Sequence, residues 1–252
     1  MTGRVAIYAA PGTASEDPAA LLVKERAESW LGRAVDGKAP DAVLPDGWSR
    51  DAVDDITVDA RRYGFHGTLK APFRLAAGRT LAELDSAVAR FADETAPVVI
   101  PDLALARMGG FFALVPGDHP ARLHELADEV LRRFDDYRAP ASEADVARRD
   151  PDALSSRQRE LLERWGYPFV LDEFRFHLTV TDRIPQDRQR VVRETLTEWF
   201  AGGLGRPVAV DALALFTEAE PGAPFRLHSV HSLRSPARTR RTSGTLDHEG
   251  TR

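Results

Sequence analysis

The chain contains no cysteine, and this absence removes several kinds of chemistry. None of its 252 residues is a cysteine, which excludes disulfides, thiolate nucleophiles and zinc or iron–sulfur sites held by cysteine. It also lacks a run of the roughly 20 apolar residues that span a membrane. The apolar stretch at the N-terminus is too short for the core of a signal peptide. We therefore expect no membrane partner and take the cytoplasm as the default location.

An excess of positive charge is also missing. Asp and Glu number 39 against 34 Lys and Arg, which gives a formal net charge of −5. Non-specific nucleic-acid binding depends on Lys and Arg neutralising many phosphates, so the composition disfavours a long nucleic acid as a partner. It leaves room for a small phosphorylated substrate, or a short RNA end, held by a local cluster of cations.

A short motif, His-x-Thr inside a β-prone run, occurs twice. The copies are RYGFHGTLK at residues 62–70 and EFRFHLTV at residues 173–180. Because successive side chains of a strand point to opposite faces, one face of each copy is predicted to carry an imidazole, a hydroxyl and a cation. These side chains are His66, Thr68 and Lys70 in the first copy and His177, Thr179 and Arg175 in the second. Two such faces are predicted to be the two halves of one phosphate-handling cleft.

A purely structural role explains some of these residues better than others. A single histidine in an apolar strand is most often structural, whereas two copies in matching context favour a shared function. Lys70 and Arg175 are less specific, because a solvated position or a salt bridge to Asp172 or Glu173 is as good an explanation for either.

The surroundings of the two copies indicate an internal duplication. Each copy is followed by a predicted helix and then by two predicted strands. Leu103 lies 37 positions after His66 and Leu213 lies 36 positions after His177, and each of these leucines begins a Leu-Ala-Leu segment. A repeat with its motif at the same relative position predicts a pseudo-two-fold, bilobal α+β protein. We expect two antiparallel sheets flanking a central cleft, with helices outside.

These patterns predict a single domain over residues 1–234. A His66 lobe is expected at about 62–117, a helical insertion at about 118–170, and a His177 lobe at about 171–234. Residues 235–252 are polar, lack apolar periodicity and are predicted to be a disordered tail.

The paired His-x-Thr strands resemble those of the 2H phosphoesterase superfamily. More closely, four segments resemble the DUF1045 family, whose members are often described as phosphonate-metabolism proteins. These segments are Arg62–Phe73, Arg164–Pro168, Glu173–Thr179 and Gly222–Phe225. One departure is Gly67, where the family pattern leads us to expect alanine; we expect the glycine to loosen that strand slightly.

The resemblance implies an enzyme that opens cyclic or linear phosphodiesters with two histidines and with neither a metal nor another cofactor. His66 and His177 would then act as acid and base, in an order that the sequence leaves open. The implied supporting residues are the phosphate donors Thr68 and Thr179, the cations Lys70 and Arg175, and Tyr63 as a rim contact.

We therefore predict a metal-independent phosphodiesterase that acts on a small cyclic phosphate or a related phosphodiester, in phosphonate metabolism. Two alternatives stay open. One is an RNA-end enzyme, acting as a 2′,3′-cyclic phosphodiesterase or resembling a 2′–5′ RNA ligase. The other is a non-catalytic protein that binds a phosphoryl ligand. The exact substrate and the oligomeric state are not fixed by the sequence.

Overall fold

Helices and strands are interspersed along the chain. The computed structural model describes residues 3–118 and 121–234, so the tail predicted for residues 235–252 lies outside the described residues. The strands are β1 (Arg4–Ala9), β2 (Gly67–Phe73), β3 (Val98–Ile100), β4 (Leu103–Met108), β5 (Phe111–Pro116), β6 (Leu178–Thr179), β7 (Val208–Val210), β8 (Ala212–Glu218) and β9 (Arg226–Ser232). The α-helices are α1 (Pro18–Leu31), α2 (Arg50–Asp54), α3 (Val58–Tyr63), α4 (Leu81–Asp93), α5 (Ala121–Arg133), α6 (Glu143–Ala147), α7 (Ser156–Trp165) and α8 (Gln189–Trp199).

Seven of these strands form one antiparallel sheet in the order β4-β5-β6-β2-β1-β8-β9, while β3 and β7 pair with each other. The predicted α+β class with antiparallel strands is confirmed. The two expected sheets, however, are hydrogen-bonded into one, because β2 and β6 pair at Gly67 and Leu178. The two motif strands are therefore direct neighbours at the middle of the sheet.

The halves of this sheet are not the continuous stretches of chain predicted as lobes. Strands β4 and β5, which follow the first motif, lie on the β6 side, whereas β8 and β9, which follow the second motif, lie on the β1 and β2 side. The lobe boundaries at 62–117 and 171–234 are thus corrected, since each motif strand has the later strands of the other repeat in its half. Sequence order fixes the elements but not their pairing, which depends on contacts between distant residues.

Equivalent elements of the repeats pair with each other twice. The motif strands β2 and β6 pair antiparallel, and so do β3 and β7, which precede the matching Leu-Ala-Leu strands. An element that pairs antiparallel with its own equivalent lies on a local two-fold axis. The structure therefore has the pseudo-two-fold arrangement that the spacing predicts.

One face of the sheet carries the main core and the other carries the cleft. In β1, Val5 and Ile7 face the large hydrophobic cluster formed with the helices. Tyr8 alternates to the opposite face and packs in a smaller cluster with Phe216 and Phe225. Helix α4 begins after Thr80 with a capping box and packs on β8 and β9. No helix in the described part of the chain is both long and apolar enough to cross a bilayer.

Candidate active site

The two motif histidines lie at equivalent positions, each immediately before its strand. His66 precedes β2 and His177 precedes β6. Since Gly67 is opposite Leu178, continuing the antiparallel register places Thr68 opposite His177. His66 and His177 then occupy a diagonal pair of positions, for which Cα separations of about 7–8 Å are typical. This spacing leaves room for one tetrahedral group between the two rings.

Both imidazoles are held in the same tautomer by backbone carbonyls. The His66 Nδ1 lies 2.8 Å from the Gly64 carbonyl oxygen, and the His177 Nδ1 lies 2.7 Å from the Arg175 carbonyl oxygen. A carbonyl oxygen only accepts hydrogen bonds, so each Nδ1 carries a proton and donates it. The neutral rings therefore keep Nε2 as an unprotonated acceptor. In His66 this Nε2 lies 3.3 Å from the Thr68 hydroxyl, which donates to it.

Burial favours the neutral form of both rings. It lowers the pKa of His66 to about 4, the Gly64 carbonyl opposes this shift, and the nearby His177 adds to it. Burial also lowers the pKa of His177, with the Arg175 carbonyl opposing the shift. The ring of His66 stacks on Tyr8 with 3.9 Å between centroids, which accounts for much of its removal from water.

The loop that carries His66 is tied down by Arg33. Its guanidinium donates to the carbonyl oxygens of Arg61 at 2.7 Å and Arg62 at 2.6 Å, and also to that of Phe225. This joins α1 to the segment before β2 and to the segment before β9. The histidine thus sits on a loop whose backbone oxygens accept hydrogen bonds from a partly buried cation.

Gly64, in the same loop, adopts a backbone conformation that favours glycine. Its φ is +78°, and a Cβ added there would lie 2.6 Å from Cγ1 of Val35. The left-handed backbone turns the Gly64 carbonyl toward His66. On the other side of the cleft, the Asp182 carboxylate accepts the backbone N–H groups of Asp59 and Ala60 at the start of α3.

The four motif side chains line one cavity of about 530 Å³, together with Tyr63 at its rim. These side chains are His66, Thr68, His177 and Thr179. The structure therefore brings together the residues that the two copies of the motif predict. The Tyr63 ring centroid lies 6.0 Å from that of His66 and stacks on Phe225.

Lys70 is not part of this group, and its predicted position is wrong. The β1–β2 register places Tyr8 opposite Thr68 but Ile7 opposite Lys70, so the strand contains an extra residue, as in a β-bulge. Lys70 is 2 % exposed, and its ammonium lies 3.0 Å from the Asp135 carboxylate and donates to the Leu131 carbonyl. The bulge turns this cation to the helical face, where it anchors α5.

Arg175 remains at the cleft, and the salt bridges considered for it do not form. Asp172 pairs with Arg157, and Glu173 accepts from Gln158. Arg175 is exposed and lines a second cavity of about 470 Å³ beside His177. Its side chain is therefore available to a ligand in that cavity.

The second cavity differs from the first in its chemistry. The residues that it shares with the first cavity include Thr68, Phe111, Tyr167 and His177, but much of its remaining wall is apolar. The apolar residues that line the second cavity and not the first include Met108, Phe169 and Phe174. A ligand centred on the two histidines thus meets a polar side and an apolar side.

Several residues of the cleft belong to neither copy of the motif. Tyr8 comes from β1, Arg149 follows α6, and Tyr167 follows α7. Tyr167 lies in the Arg164–Pro168 segment that carries part of the family resemblance, so a signal for it existed in the sequence. No repeat or spacing in the sequence identifies Arg149 or Tyr8 as a residue of the site. Among the residues that the structure describes, no group of three or more His, Cys, Asp or Glu could hold a metal ion.

Comparison with known proteins gives a family and two close relatives. The family described as "Protein of unknown function (DUF1045)" matches residues 68–226. A protein of Janthinobacterium sp. (strain Marseille) named ribose 1,5-bisphosphate phosphokinase PhnN is 35% identical over 227 residues, which cover 88% of this chain and 49% of the relative. A protein of the same name from Laribacter hongkongensis (strain HLHK9) is 37% identical over 224 residues, covering 89% and 50%. The chain thus spans about half the length of these curated relatives.

Solved structures also resemble the fold. A crystal structure of a phosphoesterase has 16% sequence identity and a TM-score of 0.40, covering 93% of this chain and 100% of that one. The crystal structure of E. coli LigT complexed with 3′-AMP has 12% identity and a TM-score of 0.41, with coverage of 92% and 98%.

Proposed function

This chain belongs to the DUF1045 family, and from that membership and its paired histidines we propose that it is a metal-independent phosphodiesterase that opens a small cyclic phosphate. The observation that carries the proposal is the shared tautomer of His66 and His177. Both rings are tied by Nδ1 to a carbonyl, while their side chains line one cavity. Two imidazoles with unprotonated Nε2 atoms around one site suit an acid and a base acting on opposite sides of phosphorus.

We assign the base to His66 and the acid to His177. The His66 pKa is lowered to about 4, so this ring stays unprotonated and accepts a proton from the attacking water. A bound phosphate anion raises the pKa of both rings by its charge. His177 also lines the second cavity, so we expect it to gain a proton first and to pass it to the leaving oxygen.

The hydroxyl groups would stabilise the negative charge on the non-bridging phosphate oxygens. Thr68 donates to the His66 Nε2, and a phosphoryl oxygen is a stronger acceptor than this ring nitrogen. Turning this hydroxyl to the phosphate leaves the His66 Nε2 open to water. Thr179 has the equivalent position beside His177, and Arg175 supplies the positive charge that the motif predicts.

The relatives' name supports a ribose phosphate as substrate, and we place the activity in phosphonate metabolism. We do not extend their kinase activity to this chain. Gly32, Gly37 and Lys38 match a nucleotide-binding loop of the form GxxxxGK[ST], but Ala39 stands where Ser or Thr would contact the magnesium ion. The segment also follows α1 rather than a strand and continues into a loop. A phosphate-binding loop of this class instead follows a strand and precedes a helix.

A second candidate is an enzyme of RNA ends, and the apolar cavity favours it. Phe111 and Phe169 line that cavity, and aromatic side chains stack on nucleobases in single-stranded RNA recognition. The third alternative is a protein that binds a phosphoryl ligand without turnover, and it would bind that ligand with the same residues.

Turnover of a substrate panel in EDTA tests these alternatives. The panel pairs ribose cyclic phosphates with nucleoside 2′,3′-cyclic phosphates and compares wild type with His66→Asn, His177→Asn and the control His228→Asn. We expect losses of about 10²–10⁴-fold for each motif histidine and wild-type rates for the control on β9. The preferred substrate distinguishes a ribose phosphate from an RNA end.

A protein that binds members of the panel without converting any would support the binding protein instead. Activity that survives both motif substitutions would contradict the two-histidine mechanism.

A further inference from the structure

The cavity contains a group of hydrogen-bond donors that the two-histidine mechanism does not use. Tyr8, Tyr63 and Tyr167 all line it. In the described residues, none of their hydroxyl groups has a hydrogen-bond partner, and the Tyr8 hydroxyl is fully buried as well. A buried hydroxyl without a partner is unfavourable and uncommon. An acceptor atom of a ligand would remove that penalty.

The three phenols lie close enough to influence one another. Burial raises the pKa of Tyr8 well above its usual value, and Tyr63 and Tyr167 contribute to the shift. Burial also raises the pKa of Tyr167, and Tyr63 contributes there too. The hydroxyls of Tyr8 and Tyr167 therefore keep their protons at neutral pH and act as donors. A concentration of donors calls for a ligand rich in acceptors.

A cation stands beside these donors. The guanidinium carbon of Arg149 lies 4.7 Å from the centroid of the Tyr167 ring, and Arg149 lines the same cavity. Its neighbour Arg148 is bound to the Asp145 carboxylate. Arg149, by contrast, has no carboxylate partner within residues 3–118 and 121–234. Its charge is left for a ligand.

Tyr8 lies apart from the space between the histidines, whereas Tyr167 also lines the cavity beside His177. Strand β1, which carries Tyr8, lies on the far side of β2 from β6, so Tyr8 is separated from His177 by His66. Two carboxylates line the cavity as well, Asp59 and Asp182. Asp182 is occupied by the N–H groups at the start of α3, and Asp59 lies at that same end of the helix, away from Tyr63.

From these observations we propose that Tyr8, Tyr63, Tyr167 and Arg149 form a second anion-binding subsite. It takes a terminal phosphoryl group on the part of the substrate that is not cleaved. This inference rests on the proposed function for the reacting phosphate and adds a second phosphoryl group to the substrate class. Phosphoryl oxygens accept several hydrogen bonds at once, and a guanidinium matches them in charge and geometry.

Calorimetric titration tests the subsite without depending on turnover. The protein carries His177→Asn, which prevents catalysis and lies away from Tyr8. The ligands are two matched pairs, a ribose cyclic phosphate with and without a 5-phosphate and adenosine 2′,3′-cyclic phosphate with and without a 5′-phosphate. We expect the extra phosphate to tighten binding about ten-fold or more in at least one pair, the gain typical of charged hydrogen bonds.

Substitutions in the same background assign that gain to residues. Arg149→Gln and Tyr8→Phe are each expected to reduce it to about two-fold or less and to leave the affinity for the ligand with one phosphate unchanged. Tyr8→Phe retains the ring against His66 and is expected not to lower the thermal midpoint, because it removes only the unpartnered hydroxyl. The matched controls are Arg148→Gln, with the same change of charge, and Tyr137→Phe outside the cavity.

Equal affinities for both members of each pair would overturn the subsite, as would an equal loss in Arg148→Gln and Arg149→Gln. Tighter binding of the ligands with the extra phosphate, without turnover by the wild type, would support the subsite and contradict the phosphodiesterase activity. Turnover without discrimination would do the reverse.

Discussion

Replacing Gly67 by alanine tests how closely the two motif strands approach each other. A Cβ at this position would lie 2.4 Å from both Cε2 and Cζ of Phe176 and 3.2 Å from Cδ2 of Leu178. The backbone of Gly67 is outside the left-handed region, so the effect is steric. Phe176 is 4% exposed in the main core and has little room to withdraw. The glycine therefore permits a tight contact, where the sequence alone suggested a looser strand.

Overpacking of this kind costs about 1–3 kcal/mol, which corresponds to roughly 2–4 °C in melting temperature per kcal/mol for a domain of this size. Urea unfolding of Gly67→Ala should show a lower midpoint with an unchanged slope. We also expect a lower kcat/KM, because relief of the clash separates His66 and Thr68 from His177.

The double variant Gly67→Ala/Phe176→Leu provides the decisive control. Phe176→Leu alone should destabilise the protein by leaving a cavity, but the smaller side chain accommodates the new methyl group. The two costs should therefore fall short of additivity by about 1 kcal/mol or more. A single variant within about 0.5 kcal/mol of wild type, or strictly additive costs, would refute the close approach of the strands.

Three further changes address the site directly. Lys70→Met should leave KM for a phosphodiester within about two-fold of wild type, because Lys70 faces Asp135. A large rise in KM would indicate instead that Lys70 contacts the substrate in the cleft. Gly64→Ala should lower kcat far more than it raises KM, since it disturbs the carbonyl that orients His66; an equal change in both would argue against that role. The pH profile of kcat/KM should be bell-shaped and acidic: activity falls below about pH 4 as His66 gains a proton, and falls again above the pKa of His177, which burial holds below 6.5. A single rising limb that continues past pH 7 would contradict the assignment of base and acid.

The repeated motif was sufficient to predict the centre of the site but not all of its neighbours. Alternation along a strand correctly grouped His66 with Thr68, because they lie two residues apart beside the pairing with β6. It failed at Lys70, where the extra residue in β2 reverses the direction of the side chain. A bulge is defined by the partner strand, and the partner is β1, nearly 60 residues earlier in the chain. Local periodicity contains no information about that partner.

For a similar reason, the sequence alone does not determine which strands form each half of the sheet. The matched spacing of the Leu-Ala-Leu segments correctly indicated a duplication, but both ways of distributing β4 and β8 between the halves satisfy that spacing. Contacts between distant residues select the exchanged arrangement. Arg149 reaches the cleft from the helical insertion, which has no counterpart in the repeat, so the symmetry argument could not identify it.

The same register explains how a symmetric pair of motifs becomes an asymmetric site. Tyr8 lies opposite Thr68 in the first half, and Ala113 lies opposite Thr179 in the second. The two-fold axis thus equates a tyrosine with an alanine. The ring of Tyr8 stacks on His66 with 3.9 Å between centroids, whereas the ring that β5 places near His177 is that of Phe111, which is tilted and 5.8 Å away. We therefore expect this difference between the repeats to lower the pKa of His66 further than that of His177, and a difference of this kind lets one histidine accept a proton while the other donates it.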